Sequence, residues 1–214
     1  MHVQLVRITA TQFSPGEDSA TCITIVHDDM LMAQEFILHT AYSKRGATMS
    51  GQSAMRKVKI EGGHLDFNSA HFITYGGKCE RLHGHNYSVL VEIEGELDAD
   101  KLVFDFTVLK RVTKEICQRL NHHFLLPLYN PHLELTQSTS EWEIRFKDKR
   151  YVFPYADVVA LPIDNSTAER IAEYICDELC QSLLEHNTAH LHTIMVGVAE
   201  APTQMAYYQR LLHE

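Results

Sequence analysis

Three histidines and one thiol carry the most chemical potential in this sequence. His83 and His85 flank Gly84 in Lys78-Cys79-Glu80-Arg81-Leu82-His83-Gly84-His85-Asn86-Tyr87, and His71 stands upstream in Phe67-Asn68-Ser69-Ala70-His71-Phe72. On an extended strand, residues two apart project from one face, so His83 and His85 can aim at a single ion. A neighbouring strand carrying His71 would bring a third imidazole. Three neutral imidazoles with no obvious fourth protein ligand describe a catalytic zinc site, because one position stays open for water or substrate. Cys79 has two readings here: a fourth ligand that closes the site, or a reactive neighbour of it.

The elements that must position these groups can be read on either side. Val89, Val91 and Ile93 continue the parity of His83 and His85, so Asn86 to Glu94 reads as a strand. Val58 and Ile60, then Leu65 to Ile73, read as one long strand with an irregularity at Gly62-Gly63. Thr74-Tyr75-Gly76-Gly77 forms the loop carrying the thiol. Val108, Leu109, Val112, Ile116 and Leu120 mark a helix capped by Asp105 or Thr107. Trp142, Ile144 and Phe146, then Tyr151 and Phe153, alternate with polar residues across Lys147-Asp148, which predicts a hairpin. Ser166 to Glu169 reads as a capping box opening a second helix buried through Ile171, Ala172, Ile175, Leu179 and Leu183. Ile194 to Ala199 and Met205 to Leu212 close the chain as two strands. The fold class is therefore α+β, in the order β-β-α-α-β-β.

Residues 1–54 read as an N-terminal extension, and 55–214 as the domain proper. Within the extension, Val3 to Ile8 and Thr21 to Val26 suggest short strands, Met30 to Tyr42 a helix, and Ser43 to Ala54 a linker. The N-terminus lacks the charged-then-apolar build of a signal peptide. No apolar run approaches the roughly 18 residues that would suggest a membrane span. Five cysteines, odd in number and unpatterned, fit a reducing cytoplasm better than a disulfide framework. A net charge of −9 argues against nucleic acid as the main partner. A small-molecule substrate fits the histidine motif better.

Taken together, Ser69-Ala70-His71, the Lys78 to Asn86 run, Asp105-Phe106 with Leu109-Lys110, Leu120 to Leu125, Ser166 to Glu169 and Glu200 resemble the 6-pyruvoyl-tetrahydropterin and 6-carboxytetrahydropterin synthase family. The likeness runs over about residues 57–212, in the family's order. The short Cys79-to-His83 spacing resembles the 6-carboxytetrahydropterin branch, which serves queuosine biosynthesis. The resemblance implies the tunnelling fold: an antiparallel sheet backed by two helices, assembled into an oligomeric barrel, a hexamer by family likeness, with sites at subunit interfaces. It implies a Zn2+ held by His71, His83 and His85. The substrate would be 7,8-dihydroneopterin triphosphate, and the product most simply 6-carboxy-5,6,7,8-tetrahydropterin. Cys79 would accept a proton, His122 relay one and Glu200 anchor the pterin, with Thr167 and Glu169 also on the substrate.

The residues themselves leave other roles open. His122 and His123 also suit the end of a helix, Glu200 a solvated turn, and Glu169 a purely capping role. The chain departs from the family pattern twice. Asn121 stands where the family has Asp before the relay histidine, and the stretch of about 126–164, hairpin included, is longer than the family's connection. The alternatives are thus a synthase of the 6-pyruvoyl product, or a paralogue that binds a pterin without turning it over.

Overall fold

The computed structural model describes residues 8–11, 22–25 and 54–212. The chain divides into two compact units, Met1–Gly51 and Gln52–Glu214. In the first, strands β1 (Ile8–Thr11) and β2 (Cys22–Ile25) pair antiparallel, Ile8 opposite Ile25. The strand expected from Val3 coincides with β1 only at Ile8. Its earlier residues, the Met30–Tyr42 helix and nearly all of the linker lie outside the described residues.

The second unit runs β3 (Arg56–His71), β4 (Thr74–Tyr75), β5 (Lys78–Cys79), β6 (His83–Gly95), α1 (Phe106–Leu120), β7 (His123–Pro127), β8 (Glu134–Gln137), β9 (Glu141–Phe146), β10 (Lys149–Pro154), a single 3-10 turn, β11 (Val158–Leu161), α2 (Ala168–Leu183), β12 (Leu191–Ala201) and β13 (Gln204–Leu211). Its main sheet has the order β11-β7-β3-β6-β12-β13. The four strands β3, β6, β12 and β13 are antiparallel, as expected. β7 and β11 add a parallel pair beside β3, so the sheet is mixed. Phe124, Leu125, Leu126 and Pro127 are all buried. A strand covered on both faces shows a continuous apolar run without alternation, so its period gives no signal.

Both helices are amphipathic and pack on the sheet. Asp105 caps α1 by accepting from the Thr107 N–H at 2.6 Å, and Leu109, Val112, Ile116 and Leu120 are buried along one stripe. Ile171, Ala172, Ile175, Cys176, Leu179 and Leu183 do the same for α2. These stripes meet Phe67, Tyr87, Val89, Val91, Ile93, Ile194, Val196 and Val198 in one core. Truncating one such Leu or Ile to Ala costs about 2–5 kcal/mol. The expected capping box at Ser166 is corrected: the N-cap of α2 is Thr167, whose hydroxyl accepts from the Arg170 N–H at 3.4 Å. Ser166 is buried instead and donates its hydroxyl to the Phe72 carbonyl at 2.9 Å. Glu169 therefore falls one position short of a box and is exposed.

The irregularity in β3 changes which side chains face the core. Glu61 lies opposite Leu90 and Asp66 opposite Ser88, with Gly62, Gly63 and His64 bulging between them at φ of 66°, 61° and 71°. An odd number of extra residues reverses the facing of a strand. Before the bulge Ile60 is buried; after it, Leu65, Phe67, Ser69 and His71 are.

A second, smaller sheet, β10-β9-β8, fills the segment between β7 and β11. The expected hairpin is β9–β10, with Trp142 opposite Phe153. β8 adds a third strand, which short polar Glu134-Leu135-Thr136-Gln137 did not suggest. Trp142, Ile144 and Phe146 cluster with Phe72, Cys79, Phe124 and Leu126.

A three-histidine candidate metal centre

The register of β3 and β6 places His71 directly opposite His83, and Ser69 opposite His85. Gly84, opposite Ala70, lets the strands close up between them: a Cβ there would stand 3.0 Å from the Ser69 carbonyl oxygen. One ligating nitrogen from each of His71, His83 and His85 lies within 4.8 Å of the others.

The tautomers of two rings follow from their partners. His71 Nδ1–H donates to the Ser166 carbonyl at 2.7 Å, and His83 Nδ1–H to the Arg81 carbonyl at 2.8 Å. A carbonyl only accepts, so in the neutral rings both Nε2 atoms carry lone pairs. Those two Nε2 atoms face each other at 3.1 Å. Two lone pairs at that distance repel unless a cation or a proton sits between them. Two nitrogens on one tetrahedral zinc, each at about 2.0–2.1 Å, stand about 3.3–3.4 Å apart, so the donor set fits one metal ion.

Electrostatics favour the ligating form. Burial pushes the His71 imidazole down to about 4; the Ser166 carbonyl opposes this, and the charges of His83 and His85 add to it. His71 is only 2% exposed and stays neutral at neutral pH. The Tyr87 ring sits edge-on to His71 and His85 at 5.9 and 5.5 Å, and its hydroxyl is buried with no hydrogen-bond partner among the described residues.

Two carboxylates border the rings. Glu200 Oε1 lies 3.9 Å from His71 Nε2. It projects from a bulge in β12, where Ala199 pairs with Met205 and Ala201 with Gln204, leaving Glu200 unpaired. Glu80 Oε2 lies 4.0 Å from His83 Nε2. Glu80 does not stand out by residue type or period in the sequence; its place three residues before His83 is the signal for it. An open cleft of about 610 Å³ is lined by His85, Asn86, Ser88 and Glu200. A second of about 450 Å³ is lined by His85, His122, His123, Phe153 and Asp157. His85 thus borders Glu200 on one side and the His122 pair on the other.

Cys79 stands apart from this group. It is not one of the grouped ligands, so no closed four-ligand site forms with it. Its side chain is 8% exposed, inside the apolar cluster with Phe72, Trp142 and Phe146. Burial pushes its thiol up, the Lys149 ammonium pulls it down, and Glu80 pushes it up again. The net direction is upward, which disfavours the thiolate that a proton acceptor would need.

His122 follows the C-cap Asn121 of α1 in a left-handed turn, with φ 60°, so it does end the helix, and its N–H donates to the Asn68 carbonyl at 2.6 Å. Asn121 is occupied structurally: its Oδ1 accepts from the Asn68 N–H at 2.8 Å. Thr167 caps α2 and Glu169 points outward; neither forms a hydrogen bond or ion pair with the three rings. The Ser166 carbonyl, next to Thr167, ties the start of α2 to His71.

A helix-backed sheet with three convergent imidazoles and a flanking carboxylate is a scaffold that could hold a metal ion. The model of the 6-pyruvoyl tetrahydropterin synthase family matches residues 63–211, and the chain belongs to that family. A Methanocaldococcus jannaschii protein, provisionally named a 6-carboxy-5,6,7,8-tetrahydropterin synthase, is 34% identical over 158 residues, covering 72% of this chain and 97% of that protein. The Haemophilus influenzae 6-carboxy-5,6,7,8-tetrahydropterin synthase is 30% identical, with 68% and 94% covered. Among solved structures, Plasmodium falciparum 6-pyruvoyl tetrahydropterin synthase is 36% identical with a TM-score of 0.70, covering 74% of this chain and 99% of its own. The chain is accordingly a lyase of this synthase type with the tunnelling fold. No helix among the described residues is long and apolar enough to cross a membrane.

Proposed function

We propose that the chain is a zinc-dependent lyase that converts 7,8-dihydroneopterin triphosphate and one water to 6-carboxy-5,6,7,8-tetrahydropterin, with acetaldehyde and triphosphate as co-products, in the cytoplasm and as a homo-oligomer. The observation that carries the metal is the 3.1 Å approach of two Nε2 atoms whose Nδ1 partners are both fixed on carbonyls. The names of the archaeal and bacterial relatives support this product.

In this reading His71, His83 and His85 hold Zn2+, which supplies Lewis acidity toward the oxygens of the substrate side chain. Glu200, on the His71 side of the cleft, accepts paired N–H donors from the pterin ring. Thr167 and Glu169 border the substrate from the start of α2. His122, across His85, relays a proton, since a neutral imidazole carries one donor and one acceptor nitrogen. A base near the three histidines takes the proton from carbon, and Glu80, whose carboxylate borders His83, and Cys79, the residue before it, are the two candidates.

One observation favours a second reading of the base and the product. Plasmodium vivax 6-pyruvoyltetrahydropterin synthase is described with catalytic-residue variants in which a glutamate is replaced by alanine or cysteine. In this chain the carboxylate of Glu80 is 4.0 Å from His83 Nε2, while the Cys79 sulfur lies in an apolar cluster. A Glu80 base with the 6-pyruvoyl product is the alternative. Incubation of the zinc-loaded protein with 7,8-dihydroneopterin triphosphate, followed by product mass and an acetaldehyde assay, separates the two. Acetaldehyde with the carboxy product supports the first; the pyruvoyl mass without acetaldehyde supports the second. Ligand-dependent stabilisation with no product would overturn both in favour of a binding paralogue.

A further inference from the structure

The small β8–β10 sheet reaches the segment that carries Cys79 and Glu80 through two ammonium groups. Lys147 Nζ donates to the Gly77 carbonyl at 2.6 Å. Lys149 Nζ donates to the Cys79 carbonyl at 2.6 Å and to the Glu80 carbonyl at 3.2 Å. The two lysines are separated only by Asp148 at the β9–β10 turn, where Lys147 holds a left-handed φ of 54°. The hairpin is itself anchored: Trp142, Ile144 and Phe146 are buried, and Tyr151 stacks on Phe72 at 5.1 Å.

The segment held this way has little regular structure of its own. β4 and β5 pair over only two residues each, Thr74 with Cys79 and Tyr75 with Lys78. The Glu80 N–H donates to the Ile73 carbonyl at 3.0 Å. Beyond that, the carbonyls of Cys79 and Glu80 turn toward the hairpin, and an ammonium with three rotatable N–H donors can serve both.

We infer that Lys149, seconded by Lys147, is a positioning residue of the reaction: it clamps the Cys79–Glu80 backbone and so fixes the base relative to the three histidines. This rests on the reading that the base lies at Cys79 or Glu80. The β8–β10 sheet is then a working part of the site, because it sets the distance over which a proton is taken.

The test compares Lys149→Met and Lys149→Arg with the parent, each purified with zinc. Circular dichroism and metal content check that fold and metal persist, and Lys147→Met carries the same test at the Gly77 end if Lys149→Met does not fold. Expected for Lys149→Met are faster hydrogen exchange of the amides from 77 to 80, faster alkylation of Cys79 by iodoacetamide, and a fall in kcat. A misplacement of about 1 Å costs on the order of 10²-fold, with KM much less affected. Lys149→Arg, which keeps cationic donors, restores most of the rate. Unchanged turnover with faster exchange would overturn the clamp's role in the reaction. Slower turnover with unchanged exchange and labelling would overturn the clamp itself. If Cys79→Ala and Glu80→Gln both keep full turnover, the assignment of the base fails while the exchange result still reports on the clamp.

Discussion

The histidine site and the Cys79–Glu80 segment lie side by side, yet they are built in different ways. His71, His83 and His85 sit on two long strands whose register fixes them, and two of the rings are locked by carbonyls at 2.7 and 2.8 Å. The Cys79–Glu80 segment has a two-residue strand pairing and one further backbone bond to Ile73, and Lys147 and Lys149 bind its carbonyls from the hairpin. A ligand set must converge within tenths of an ångström, which regular strand geometry supplies. A proton-transfer group must also be held at a set distance, and on this short-paired loop that falls to side chains reaching across from the hairpin.

The largest effect expected from breaking this contrast comes from the strand side. His83→Ala removes one of three ligands and should abolish stoichiometric metal binding and turnover together, checked by elemental analysis alongside the product assay. On the loop side, Cys79→Ala and Glu80→Gln should each leave the metal bound. The one that carries the base should lose about 10²–10⁴ in rate, and steady-state kinetics of the pair identifies it. Should both lose metal as well, the two regions are not separable in the way described.

Acid sharpens the contrast from another direction. His71 is held at about 4 in the folded chain, against an ordinary value near 6.5. Its folded pKa is depressed, so the unfolded chain binds the extra proton first. Stability is full above pH 6.5, is lost as the pH falls through the interval to 4, and changes no further below it. The size is roughly 3 kcal/mol, at about 1.4 kcal/mol per pH unit. Denaturant midpoints of the metal-free protein between pH 7 and 4 measure it, and His71→Gln should flatten the slope.

The smallest effect concerns Asn121. Its amide oxygen accepts from the Asn68 N–H, a bond that an aspartate also makes. Asn121→Asp should leave stability nearly unchanged and keep or raise turnover, whereas Asn121→Ala leaves a part-buried N–H unpaired at a cost of about 1–3 kcal/mol. Thermal melts and product assays of the two variants decide this.

Much of the scaffold was legible because it follows simple periods. His83, His85, Tyr87, Val89, Val91 and Ile93 share one parity, and the helical stripes of α1 and α2 repeat at three and four residues. The parallel strand at His123–Pro127 was not legible, since its four buried residues in a row have no period. The cap of α2 was misplaced by one residue because Ser166 and Thr167 both suit the position; the decisive fact is the burial of Ser166 against Phe72 and His71. The surroundings of Cys79 were the least legible, because they depend on side chains about 70 positions away in the β9–β10 hairpin.

The bulge at Gly62, Gly63 and His64 has an arithmetic consequence for how this strand tolerates change in length. Losing two of the three residues would leave one surplus position, and His71 would still look toward its partners. Losing a single one would leave an even surplus, turning either the Val58–Ile60 half or the Leu65–His71 half inside out. Insertions and deletions at this loop should therefore be accepted in pairs and rejected singly, a parity rule that a library of length variants scored for folding would expose.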